Sequence, residues 1–447
     1  MHHRSLLRSL IGLAALLTAA LAVSAASAGT GTAASPGASD NPRFTTVGGV
    51  DPQFLSNART IPHFTFQYRD PQNGVTYPIT MVGSDPRTSN SDTVVHSVII
   101  PLKINLVAAG QDTSVLDDFY YPGFHATPLT KTFDGGSRVA DVLASPIFAR
   151  NAYPRDMGGD RAQYGDAFMR SQFDKIGSGY HVTLKNDATF ATQTIDVPAH
   201  KGIAYNRAPG LFTGKDAVAG IVQDKWFSEK LQNLMNALGV DATTVPIFLT
   251  DNVMLYGFNY ADCCTIGYHG AGMPIGYGSG SANTNGNAPV QTFIYSAWTK
   301  PGTYSGFYPD YSAPAPSYPK PTRGIADIHA LSHEVAEWLD DPYVNNAVQP
   351  WLTPTAPQYG CSGFLETGDP VVGVWFPLGG NTAGSHDGFN YYGQYHPEEN
   401  VFAQWFGRGG VEAAGFHSYT NRLTFMGSRT TSIGGPYADF ANYANGC

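Results

Sequence analysis

Residues 325–339 constrain this chain most, because one helical period carries two incompatible surfaces there. Ile328, Leu331, Val335, Trp338 and Leu339 fall on one side of the period. His329, His333 and Glu337, spaced four apart, stack on the other, with Asp340 nearby. Asp341-Pro342 follows and stops the pattern. The spacing predicts a helix that buries one face and aims His333 and Glu337 into a cleft. Glu334 then projects to one flank, where a general base would stand beside metal-activated water.

Residues 333–337 read His-Glu-x-x-Glu, one residue away from the His-Glu-x-x-His pattern that gives two imidazoles to zinc. Here the second ligand would be Glu337, and carboxylate oxygens do bind zinc at about 2.0–2.2 Å. A third ligand must come from elsewhere, and Asp369 and Glu366 are the candidates. One histidine with two carboxylates is a harder donor set than the usual zinc site. It would hold zinc less tightly and would admit calcium or manganese. His329, four residues before His333, is an alternative ligand, a support for one, or a helix histidine facing water. His386, His396 and Tyr391 lie in a Tyr/Asn/Gly-rich stretch and are candidates for oxyanion or substrate contacts, with surface exposure as the plain alternative. His269, between Tyr268 and Gly270, is open to the same two readings. The plain reading of the motif is a solvated His333–Glu337 pair beside a Gly368-Asp369-Pro370 turn.

Composition narrows the classes. The chain has 447 residues, enough for two domains or one large one, and 42% are hydrophobic. Charged residues make up only 14%, against ~25% in ordinary soluble proteins. Formal net charge is −9 and no Lys/Arg run occurs, which argues against a nucleic-acid partner. Arg4 and Arg8 precede an apolar stretch over 10–23, shorter than the ~20 residues a membrane-spanning helix needs. Ala26-Ser27-Ala28 fits a cleavage site, so residues 1–28 read as a signal peptide and the product as a secreted, extracellular protein with no membrane span. Residues 29–42 read as a flexible linker. In an oxidising compartment Cys263, Cys264, Cys361 and Cys447 would form two disulfides. A bond between the adjacent pair would be strained, which leaves two pairings open. No pair of Cys-x-x-Cys units supports a four-thiolate zinc site.

The organisation predicted is α+β, with a β-rich region over 43–214 and a second region over 215–447 built from antiparallel or mixed strands and the motif helix. Strands are expected at 63–69 and 75–82 around an Asp70-Pro71-Gln72-Asn73-Gly74 turn, and at 93–107, 181–184 and 193–197. Helices are expected at 139–148, 164–173 and 217–238, the last with Phe227, Leu231, Leu234, Met235 and Leu238 as its stripe and Gly239 as its cap. Strands at 245–256 and 290–299, a turn or hairpin over 263–272, and long loops over 276–289 and 301–324 complete the pattern.

Ser332 to Glu337, continued by Asp341-Pro342, resembles a zincin-like helix in its His-Glu-x-x-Glu form. It is also similar to a segment of exordium-type (phosphate-induced) extracellular proteins, and of secreted microbial proteins often labelled metalloproteases. Those carry a downstream Glu-x-Gly-Asp element and a Gln-x-x-Trp-like segment. This chain has Glu366-Thr367-Gly368-Asp369, and Gln404-Trp405 in shortened form. Thr367-x-Asp369 followed by Gly373 also resembles an element that supplies an Asp ligand in one zincin branch. The resemblance covers the last third of the chain. It implies a zincin-like domain, zinc as the cofactor, and hydrolysis of a protein or peptide substrate with Glu334 moving the proton. Two other classes stay open: a non-catalytic extracellular binding protein on a degenerate zincin scaffold, and a carbohydrate-active hydrolase with paired carboxylates. Oligomeric state is not legible.

Overall fold

The computed structural model describes Leu55, residues 58–111, 127–206, 218–257, 263–272, 289–300, 327–352 and most of 361–427. The expected signal segment and linker lie outside these residues, as do 276–288 and 301–324 of the long loops. In chain order the elements are β1 (His63–Arg69), β2 (Thr76–Val82), β3 (Asp92–Leu106), β4 (Thr127–Pro128), β5 (Lys131–Asp134), α1 (Val139–Ala144), α2 (Tyr164–Gln172), β6 (His181–Thr189), β7 (Gln193–Asp196), β8 (Gly202–Asn206) and β9 (Val218–Gln223). There follow α3 (Asp224–Ala237), β10 (Thr244–Asp251), β11 (Val253–Tyr256), β12 (Cys263–Thr265), β13 (Gly267–Gly272), β14 (Gln291–Trp298), α4 (His329–Asp340), β15 (Ala347–Leu352), β16 (Cys361–Phe364) and the short α5 (Ala403–Phe406).

The main sheet has the order β13-β14-β10-β3-β5, with β6 and β7 also paired along β3. β14, β10, β3, β6 and β7 run parallel, while β13 and β5 are antiparallel to their neighbours. A second sheet has the order β12-β11-β9-β8-β4. The fold is therefore α+β, with mixed and antiparallel strands and few helices among the described residues. None of those helices is long and apolar enough to cross a membrane.

β3 explains why the main sheet is a core element. Its side chains alternate between faces, and both faces are apolar, as a strand buried on both sides requires. Val95 and Ile99 pack in a cluster with Phe168 of α2 and Val335 and Trp338 of α4. Ile100, Leu102 and Ile104 pack in a second cluster with Phe227 and Leu231 of α3. β10 repeats the pattern, with Val245, Ile247 and Leu249 facing one cluster and Phe248 the other. Because β3 pairs with β10, the sheet runs across the expected division at 214/215.

Several expectations need correction. The predicted helix over 217–238 is a strand followed by a helix, β9 then α3. Val218, Ile221 and Val222 are β-branched and pair with β8 and β11, and a short apolar run does not by its period tell strand from helix. Gly239 does close α3, at φ +63. The single strand expected over 245–256 breaks at Asn252, where φ is +60, and the chain passes there from the main sheet to the second. Residues 263–272 are not a hairpin, since β12 pairs with β11 and β13 with β14. The helix expected over 139–148 stops at Ala144. The β1–β2 hairpin forms as expected: Asp70 Oδ1 accepts from the Gln72 and Asn73 amides at 2.8 and 3.1 Å, and Gly74 takes φ +71.

Candidate metal centre

The motif helix α4 begins at His329, later than its period suggests, because Asp327 adopts φ +39 and its carboxylate takes the Ile328 amide at 2.6 Å. It ends at Asp341, whose amide still donates to the Glu337 carbonyl, before Pro342 forbids another turn. The apolar side behaves as predicted. Trp338 is fully buried and its indole N–H donates to Thr292 Oγ1 at 3.1 Å. Val335 and Leu339 meet α2 where Gly165 leaves room for them: a Cβ there would stand 2.7 Å from Leu339 Cδ1.

The polar side departs from expectation. Every residue of α4 is buried, so His333 and Glu337 do not face an open cleft in the way an amphipathic helix suggests. They are covered by β13, by residues 366–369 and by residues 396–400. Gly267 and Gly368 permit this close cover. A Cβ on Gly267 would lie 2.7 Å from Glu334 Cγ, and one on Gly368 would lie 2.4 Å from His333 Nδ1.

Within that cover the groups are specific. His333 Nε2 lies 3.1 Å from Glu337 Oε1, 3.7 Å from Asp369 Oδ1 and 3.9 Å from Glu334 Oε1. His333 Nδ1 donates to Glu398 Oε2 at 3.0 Å. One ring nitrogen is thus held by a carboxylate while the other faces the acids, the arrangement that orients metal-binding imidazoles. Glu337 Oε1 also accepts from the Gly368 and Asp369 amides at 3.0 and 3.3 Å, which ties the 366–369 turn to α4. His333, Glu337 and Asp369 bring one donor atom each within 4.8 Å of one another, a spacing that could hold a metal ion. A second group on the same criterion is His269, Glu337 and Glu366. His269 Nε2 donates to the Asp341 carbonyl at 3.1 Å, and Nδ1 faces Glu334 Oε2 at 3.3 Å and Glu337 Oε2 at 3.7 Å.

The charge balance fits a cation. Burial disfavours the imidazolium of His333, yet Glu337 and Glu398 beside it hold it well above its ordinary range. Burial likewise opposes Glu337 and Glu398, but the neighbouring histidines keep both carboxyls below their ordinary range. For Glu366, burial and then the adjacent Glu337 and Asp369 push the carboxyl well up. Burial also raises Glu334, against a hydrogen bond from His269. The site therefore has more buried acid than its histidines neutralise, which costs several kcal/mol per unpaired charge unless protons or a cation are bound.

The expected residues are thus largely brought together. Glu334, His333, Glu337 and Asp369 converge, and Glu366 joins them through His269. His329 is fully buried with Nε2 2.8 Å from Glu398 Oε2, so it supports the residue that holds His333. His396 sits two residues before Glu398, pairs through Nδ1 with Asp327 Oδ2 at 2.5 Å and packs edge-on against Trp375. His386 lies in a two-residue strand whose side chains are outside the described residues, and Tyr391 is outside them altogether. Cys361 is not a free thiol; Cys447 and the side chains of Cys263 and Cys264 lie outside the described residues. Of two further site residues, His269, which β13 delivers, is expected from sequence as a substrate contact or an exposed side chain and not beside the ligands, and Glu398 is not singled out at all. Neither has a spacing signal, because each lies 65 residues from the α4 group it contacts. Compared with protein-family models, curated proteins and solved structures, the chain matches none.

Proposed function

We propose that this chain is a secreted, metal-dependent peptidase with a zincin-like active site, in which His333, Glu337 and Asp369 hold a zinc ion. The observation that carries the reading is the held imidazole: Glu398 takes His333 Nδ1 at 3.0 Å, and Nε2 faces Glu337 and Asp369. When bound, the ion would supply Lewis acidity toward a peptide carbonyl and toward water. Glu334, 3.9 Å from His333 Nε2, would accept a proton and return it to the leaving amine. Calcium or manganese remain compatible with so oxygen-rich a set.

The closed cover favours a second reading, a non-catalytic extracellular binding protein that keeps a metal for stability; Glu334 is only 3% exposed. A peptide-cleavage screen of zinc-loaded protein beside Glu334→Gln separates the two. The peptidase reading expects cleavage that falls by about 10²–10⁴-fold in the variant at unchanged metal content. Metal bound equally in both proteins, with no cleavage by either across a broad peptide library, supports the binding protein instead.

A further inference from the structure

Glu337 belongs to both candidate ligand groups, and it does so with different atoms. Oε1 faces His333 Nε2 at 3.1 Å, while Oε2 faces His269 Nδ1 at 3.7 Å. The two imidazoles are held in the same manner. Each is anchored by its far nitrogen, His333 by the Glu398 carboxylate at 3.0 Å and His269 by the Asp341 carbonyl at 3.1 Å. Each turns its near nitrogen toward the acids of α4: His333 Nε2 has Glu337 nearest, and His269 Nδ1 has Glu334 Oε2 at 3.3 Å with Glu337 Oε2 next at 3.7 Å. Beyond Asp369, which completes the first group, Glu366 completes the second. Glu366 is 7% exposed, and its Oε2 is buried with no hydrogen-bond partner. Such a buried acceptor is costly unless something binds it.

We infer that the site is a two-cation centre in which Glu337 bridges one ion held by His333 and Asp369 and a second held by His269 and Glu366. The inference rests on the metal-centre reading above and extends it. Four carboxylates, Glu334, Glu337, Glu366 and Asp369, converge within reach of two imidazoles. Two divalent cations balance the formal charge of these four, whereas one leaves two of their negative charges in a buried site; Glu398, a fifth buried carboxylate, is taken up by His333 and His329. A carboxylate that offers one oxygen to each side is the bridge expected of ions roughly 3.5–4 Å apart. Oxygen-rich donors with one imidazole apiece suit zinc or manganese.

The test is stoichiometry. Purified chain is dialysed to saturation against Zn²⁺ alone, and separately Mn²⁺ alone, and bound metal per chain is read by elemental mass spectrometry. Two ions per chain are expected in wild type with at least one of the cations. Glu366→Gln, which keeps size and shape, should fall from two ions to one, as should His269→Asn. Asp369→Asn should also retain one. Circular dichroism establishes that each variant is folded, and Glu366→Gln decides the matter where His269→Asn fails to fold. One ion per chain in saturated wild type, or two ions retained in folded Glu366→Gln, overturns the second site and leaves the single-ion centre standing. No bound metal in folded wild type overturns both.

Discussion

Glu398 illustrates how much of this site depends on residues that need not touch the ion. Its carboxylate holds His333 at 3.0 Å and lies 2.8 Å from His329 Nε2. Replacing it with Gln should weaken zinc binding by about 10–100-fold while Glu334 and Glu337 stay in place; competition against a chelator of known affinity measures this. Protonation gives a second prediction. His333 and His269 are held above their ordinary range by the adjacent acids, after burial is overcome, so their contribution to apo stability is present at low pH and fades as pH rises through their raised values. Asp341, pushed up by burial to about 7, acts in the same sense: its cost grows as pH rises from its unfolded value of 3.8 toward 7. Zinc must displace the imidazole protons. Thermal melts should therefore show a larger zinc-induced rise in Tm at pH 8 than at pH 6; an equal or smaller rise at pH 8 would contradict this assignment of protons.

At the level of elements, the site is a contact between a helix and a turn. Gly368 presses against the His333 ring so closely that a methyl group would stand 2.4 Å from Nδ1. Gly368→Ala should therefore move the 366–369 turn away from α4 and lower zinc affinity at least about tenfold, as loss of a supporting contact does. Isothermal titration checks it, with circular dichroism unchanged. The helix itself is legible in the sequence, because Leu331, Val335, Trp338 and Leu339 repeat at helical spacing and Pro342 marks the end. The β1–β2 hairpin is legible through Asp70 and Gly74. The strand β9 is not, since Val218 to Val222 is too short for period to decide and only pairing with β8 and β11 makes it a strand. The contacts that His269 and Glu398 make with α4 are illegible for a related reason: tertiary packing brings them to the helix from 65 residues away, and no local pattern records it.

For the whole molecule, the decisive fact is that β3, from the first half of the chain, lies beside β10 from the second. Both strands are buried on two faces. A fragment spanning residues 215–447 should therefore not fold alone. It should show no cooperative melt by circular dichroism; a cooperative melt would mean that the β-rich region over 43–214 is separable from the rest. The same architecture packs α4 on β13 and β14 and beside α2, which packs on β6; each buried apolar side chain there contributes about 2 kcal/mol and so holds the polar stripe in place. The most direct measurement is the zinc content of the purified chain, wild type beside Glu337→Gln. The account predicts bound zinc in wild type, and its loss in a variant with the same circular dichroism spectrum. Folded wild type that retains no zinc after incubation, or a folded variant that retains as much as wild type, would contradict it.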